Sequence, residues 1–368
     1  MRHPLSLVLA ALAVVSCDSA DSDGVGGSGG DEPSSTSSTG GPGATTSSSG
    51  STTTGQSSSS SGSGGGETIS ISGTGFGVKA TPGPVVFDDF EGGAVGAPTE
   101  NQPATVGAWQ SGAGSAVPIY SDEVVRAGAR SCKNAFDSAN YNVSLAQNLD
   151  FTVAYLDYWT YVEPLDASPE GFSRNWKPFR LYGDSDTLQA GTTTLNGNSA
   201  AIAYFENSMG NGVTEWFGGY PTSGWFHIQA WLRLNEDGQQ NGTIRVRVDD
   251  SAAGATGVAL RAGNAPMNQV RIGHYWATDG VDGWPHENPG ANVYLDDVYF
   301  DTTWARVEVG DAADYAATQH REIQIVESWT DTEITFTLSR GTLPAGPAWA
   351  FVIGEDDTVL ATAQVTIP

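Results

Sequence analysis

The feature that most constrains this chain is a two-residue rhythm of apolar side chains after residue 66, with no window of ten or more residues repeating at the helical period. Successive residues of a strand face opposite sides, so such a rhythm buries one face, and the folded part is expected to be all-β. In "VAYLDYWTYVE" the inward set is Ala154, Leu156, Tyr158, Thr160 and Val162, and the outward set is Tyr155, Asp157, Trp159, Tyr161 and Glu163. "WFHIQAWLRL" sends Phe226, Ile228, Ala230, Leu232 and Leu234 inward and Trp225, His227, Gln229, Trp231 and Arg233 outward. "TIRVRVDD" sends Ile244, Val246 and Val248 inward and Arg245 and Arg247 outward, and in "QVRIGHYW" Val270 and Ile272 point in while Arg271 and Tyr275 point out. "FSRNWKPFRLYG" places Phe179 and Leu181 inside and Trp176, Arg180 and Tyr182 outside; Lys177 then points inward unless Pro178 marks a bulge or an edge.

The N-terminal part belongs to none of this. "MRHPLSLVLAALAVVSC" has a basic start and an apolar run too short and wrongly flanked for a spanning helix, the pattern of a signal peptide. Residues 18–66 are almost entirely Ser, Thr, Gly and Asp, with nothing to bury, and read as a disordered tether with an end-to-end span of roughly 35–42 Å. The 42 acidic against 16 basic residues give a formal charge of -26 and exclude nucleic acid as a partner, because phosphate contacts need a positive footprint. Only two cysteines are present, so core burial rather than a disulfide framework must hold the fold.

Several segments resemble known families. Val14-Val15-Ser16-Cys17 resembles the bacterial lipobox, which implies a lipidated Cys17, a membrane anchor and a surface-exposed place in the cell envelope, and leaves Cys132 a buried free thiol. "ETISISGTGFGVK" resembles the opening strand and turn of an IPT/TIG immunoglobulin-like domain, whose later strands resemble "IVESWTDTEITFTL" and "AWAFVIGEDDTVLATAQVTI" at the C-terminus. The implied organisation is a signal peptide at 1–17, a linker at 18–66, a split IPT/TIG-like β-sandwich at 67–84 with 318–368, and an inserted domain at 85–317. "WFHIQAWLRLNEDGQQNGTIRVRVDD" is similar to the concanavalin A-like superfamily, which implies a two-sheet jelly roll shared by lectins and polysaccharide lyases.

The outward faces repeat aromatic rings and arginines, which suit stacking on pyranoses and bidentate binding of carboxylate or sulfate. Cross-strand pairing and local ion pairs explain such a face equally well. The expected ligand-binding set is Trp159, Tyr161, Trp176, Arg180, Tyr182, Trp225, Trp231, Arg233, Arg245 and Arg271, and the leading expectation is a monomeric binder of an acidic polysaccharide. The alternative is a lyase acting on a uronate polymer, which needs a group to neutralise the carboxylate and a base at C5, with His227, Tyr275, Arg180 and Gln229 as candidates. A structural or adhesive envelope protein is the third reading. "FDDFEGG" and "VYLDDVYFD" are similar to segments that meet at a structural calcium in β-sandwich modules, implying Asp88, Asp89, Glu91, Asp296 and Asp297 as ligands. The loop "ATDGVDGWPHENPG", with Trp284, reads as a candidate groove rim.

Overall fold

The computed structural model describes residues 56–57, 66–111, 116–136, 143–163, 175–183, 189–195, 200–206, 213–217, 220–221, 224–277 and 291–368. Cys17, almost all of the tether, Arg174 and the loop carrying Trp284 lie outside them. In chain order the strands are β1 (Gln56–Ser57), β2 (Thr68–Ser72), β3 (Val86–Asp88), β4 (Ile119–Ser121), β5 (Ser131–Phe136), β6 (Leu145–Phe151), β7 (Val153–Glu163), β8 (Asn175–Gly183), β9 (Gln189–Leu195), β10 (Ala200–Glu206) and β11 (Val213–Phe217). There follow β12 (Phe226–Arg233), β13 (Gly242–Val248), β14 (Ser251–Val258), β15 (Met267–Ala277), β16 (Ala291–Asp301), β17 (Arg306–Gly310), β18 (Arg321–Ile323), β19 (Ile325–Trp329), β20 (Glu333–Thr337), β21 (Gly346–Ile353) and β22 (Val359–Ile367). Among the described residues a single 3-10 turn, Tyr315–Ala317, is the only helical piece, so the chain is all-β.

Two sheets enclose the larger core. An eight-stranded sheet runs β14-β13-β12-β7-β16-β5-β4 with β3 also on β16, and a six-stranded sheet runs β11-β10-β9-β8-β15-β6. Leu156, Tyr158, Ile228, Leu232 and Val246 from the first meet Phe179, Leu181, Val270 and Ile272 from the second, all at 2% exposure or less. Every inward set read from parity is therefore buried, as half-buried strands require. Fully buried Cys132 lies in the same core, where its thiol donates to Asn134 Oδ1 at 3.6 Å.

A smaller sandwich is built from β1-β2-β20-β19 and β18-β17-β21-β22. β2 pairs with β20 from the far end of the chain, placing Ile69 opposite Phe336 and Ile71 opposite Ile334. Its core includes Val307 and Val309 of β17, a strand that sequence alternation assigned to the large domain. Sheet membership changes between Asp301, the last residue of β16 paired with β7, and Arg306, the first residue of β17 paired with β21, earlier than the boundary at 317 read from the sequence.

A third cluster joins the two. Phe87, Tyr155, Trp231 and Tyr299 on the outer face of the eight-stranded sheet pack against Trp304 and Ile323. Arg306, with no exposed surface, pairs with Glu308 at 2.6 Å and Asp357 at 2.8 Å and lies 4.2 Å over the Tyr155 ring. Much of the face expected to meet ligand is thus an internal interface.

Candidate functional site

The outer surface of the six-stranded sheet brings Arg180 and Arg271 together. β8 and β15 lie side by side with Arg180 directly opposite Arg271. Because Phe179, Leu181, Val270 and Ile272 fill the core, both arginines and Tyr182 stand on the outer side. Arg180 Nη1 donates to Tyr182 Oη at 3.1 Å, and the guanidiniums of Arg180 and Arg271 lie 5.3 Å and 4.7 Å from the Tyr182 ring centre. Arg271 Nε donates to Gln269 Oε1 at 2.5 Å.

A bulge completes the group. The β8–β15 register shifts between Ile272 and Tyr275, and Gly273 there has φ 66° with its carbonyl held by Asn134 Nδ2 at 2.8 Å. A Cβ at Gly273 would stand 2.3 Å from that same nitrogen, so glycine is required by both the backbone and the close approach. The extra residue breaks strict alternation and brings His274 to Tyr182, with Nε2 and Oη 2.8 Å apart. Either tautomer makes this bond, Nε2 accepting from the hydroxyl or Nε2–H donating to it. Tyr275 receives Lys177, whose Nζ lies 4.3 Å from its ring centre.

His274 is 1% exposed, and burial, then Arg271, Arg180 and Lys177, push its pKa well below the ordinary 6.5. Its imidazole is therefore neutral, and among the described residues its Nδ1 has no hydrogen-bond partner. Folding must exclude a proton that the unfolded chain takes up near pH 6.5, so the stability His274 contributes is intact above that pH and lost as pH falls below it. The melting temperature is expected to fall more steeply between about pH 6.5 and 5 in the native protein than in His274→Gln; parallel slopes would contradict a buried neutral imidazole. Asp88, Asp296 and Asp297, whose pKa values burial raises, act in the opposite sense but equally in both proteins.

An open depression of about 540 Å³ adjoins this group, lined among others by Asn148, Asp150, Tyr182, Gly183, Gln269 and Arg271. Amide, phenol and guanidinium groups around an open groove can bind a hydroxylated chain bearing anions. Sequence parity missed His274, which lies in the bulge, and Gly273 within "RIGHY" was the available signal; for Lys177 the signal was Pro178.

The remaining expected residues are dispersed. Trp176, read as outward, is 1% exposed and packs against Tyr220 and Phe226 in the core. Trp231 is 4% exposed and donates to Asp357 Oδ1 at 3.1 Å, Arg245 pairs with the same carboxylate, and Arg233 lies 4.2 Å from the Trp304 ring centre. These three belong to the interface. Trp159 lies between Arg126, 3.7 Å away, and His227, stacked at 4.6 Å and 3°. Tyr161 and Trp225 are half-buried neighbours on the eight-stranded sheet, with ring centres 5.9 Å apart.

The four lyase candidates are not brought together. Arg180 and Tyr275 are on the six-stranded sheet, whereas His227 and Gln229 are on β12 of the other. His227 Nε2 and Gln229 Nε2 both bind Asp157, at 2.6 Å and 2.9 Å. Burial alone would raise the Asp157 carboxyl, but His227, Tyr155 and Gln229 hold it below the usual carboxylate range.

The expected calcium ligands are already served by protein donors. Asp88 accepts from Phe90 N at 2.9 Å and Trp109 Nε1 at 2.8 Å, and burial raises its pKa to about 6. Asp89 accepts from Thr105 Oγ1 at 2.6 Å, and Glu91 from the Ala129 and Arg130 amides at 2.7 Å and 2.9 Å. Asp296 accepts from Arg126 N at 3.1 Å, while the Arg126 guanidinium holds Asp297 at 2.5 Å. Among the described residues no three Asp, Glu, His or Cys side chains converge closely enough to hold a metal ion by themselves.

No protein family is matched by this sequence, and no curated protein is a match for it. Among solved structures, the chain is similar to an endo-β-1,4-glucuronan lyase from the fungus Trichoderma reesei, at 10% identity and a TM-score of 0.40 over 60% of this chain and 97% of that one. It is also similar to a marine alginate lyase from Aplysia kurodai, at 9% identity and 0.37 over 50% and 86% of the two chains. A third likeness is to a cellulose induced protein, Cip1, at 14% identity and 0.38 over 59% and 97%.

Proposed function

We propose that this protein binds an anionic polysaccharide across β8 and β15, with Arg180 and Arg271 receiving carboxylate or sulfate groups and Tyr182 lying beneath the sugar ring. The observation that carries the reading is the cross-strand pair of arginines with Lys177 close by, in a chain of net charge -26. Like charges directly opposite one another on neighbouring strands destabilise a sheet, and an anionic ligand relieves that repulsion. A glycan array carrying alginate, glucuronan and heparin-like polymers beside neutral ones tests it: binding is expected on the acidic polymers and is expected to weaken with added salt. Indifference to ligand charge would refute it.

A second reading, a lyase acting on a uronate polymer, rests on the Tyr182–His274 contact of 2.8 Å beside Arg180. A neutral imidazole paired with a phenol is suited to take a proton from carbon while an arginine neutralises the carboxylate. This reading takes Tyr182 and His274 as the base in place of His227 or Tyr275. Rising ultraviolet absorbance from unsaturated uronate on mixing with those polymers would establish turnover, and binding with a flat trace would leave a binding protein. The same proposal sets the monomeric folded part at the end of the Ser/Thr/Gly tether, anchored in the envelope through a lipidated Cys17, with the smaller sandwich as a split IPT/TIG-like support.

A further inference from the structure

The eight-stranded sheet carries a second aromatic patch of different chemistry. One step along β7 from Trp159, whose ring still meets His320 of the small sandwich at 5.9 Å, stands Tyr161. Strand register places Tyr161 opposite Tyr294 and Tyr294 opposite Lys133. Trp225, just before the Phe226–Thr160 pair, extends that row on the other side. The next row holds Glu163, Asn292 and Ala135, and Ala135 is exposed.

The charges of this patch are the reverse of those around Arg180. Both oxygens of Glu123 bind Lys133 Nζ, at 2.9 Å and 2.7 Å, so the cation is neutralised in place. Glu123 also accepts from Tyr294 Oη at 3.1 Å, and Glu163 adds a further negative charge. A polymer of carboxylates would be repelled here. Half-buried Trp225 and Tyr161 offer ring faces to apolar C–H surfaces, and Glu163 and Asn292 offer an acceptor and an amide to hydroxyls.

We infer that this patch is a second carbohydrate-binding surface, for an uncharged polysaccharide, on the opposite sheet from the anion-binding face. Cross-strand packing alone also gathers rings, and in that case their removal costs stability and no affinity. The test is affinity electrophoresis of the whole protein in gels containing uncharged glucans, xylans or mannans, with the melting temperature of every variant recorded. At least one neutral polymer is expected to retard the native protein, and Trp225→Ala is expected to weaken that retardation on the order of tenfold. Trp225→Phe, which keeps a ring, is expected to stay within about threefold of the native protein. Excess soluble alginate is expected not to compete. No retardation by any neutral polymer, full retention in a folded Trp225→Ala protein, or competition by alginate would each overturn the inference. Should Trp225→Ala fail to fold, Ala135→Gln at its exposed position is expected to weaken neutral binding, and undiminished retention overturns the proposal equally.

Discussion

Replacing Arg306 by alanine is expected to lower stability by about 3–5 kcal/mol, the cost of removing one partner from a buried ion pair. The guanidinium has no exposed surface and serves Glu308, Asp357 and the Trp304 carbonyl, the last at 2.9 Å. Its loss leaves Glu308, at 1% side-chain exposure, with Arg321 at 3.5 Å in place of the 2.6 Å pair, and opens the stack over Tyr155. With roughly 2–4 °C per kcal/mol for a domain of this size, thermal unfolding is expected on the order of 10 °C lower. Arg306→Lys keeps the charge but not the fork that reaches both carboxylates, and is expected to fall between the two. A loss below about 1 kcal/mol would mean that the interface does not depend on this residue.

The double substitution Arg180→Ala with Arg271→Ala is expected to act on affinity instead. Two charge-assisted hydrogen bonds at about 1.5 kcal/mol each amount to on the order of a hundredfold in dissociation constant for an acidic polysaccharide. Both side chains are half-buried and face each other across the β8–β15 pair, so removing them relieves like-charge repulsion while giving up their contacts with Tyr182 and Gln269, and the melting temperature is expected to move by only a few degrees, about 1 kcal/mol or less. Titration calorimetry or affinity electrophoresis with alginate reads the first effect and calorimetric unfolding the second. Unchanged affinity would move the binding site away from this face.

Parity was a sound guide where a strand is regular. It sorted Leu156, Tyr158, Ile228, Leu232 and Val246 into the core and Arg180, Tyr182 and Arg271 onto the outer side. It misled at Trp176, which lies in the core, and was silent on His274, where the β15 bulge adds a residue that no two-residue period contains. The larger error was one of coverage. Trp231, Arg233 and Arg245 do leave the core of the large sandwich, as alternation requires, but they enter an interface built by residues 304–357. Alternation is a local signal, and what lies over a face is decided by contacts far apart in sequence. The paired carboxylates show the same limit: "DDF" and "LDD" are legible as adjacent acids, yet Arg126, from a loop between them in the chain, meets Asp297.

The pairing of β2 with β20 also bears on the order in which the molecule assembles. Ser70 and Glu333 touch across a separation of 263 residues. Closing so long a loop in an unfolded chain costs about 5 kcal/mol of entropy, about as much as the hydrogen bonds of a five-residue strand pair return. The large sandwich removes that cost, because β3 and β16, its first and last strands, lie side by side with Phe87 opposite Tyr299. Once they have paired, the small sheet has only two short connections to bridge. The smaller sandwich is therefore a late-closing clasp whose formation reports that the larger one is complete, and damage to the larger core will first be visible as a failure to close it.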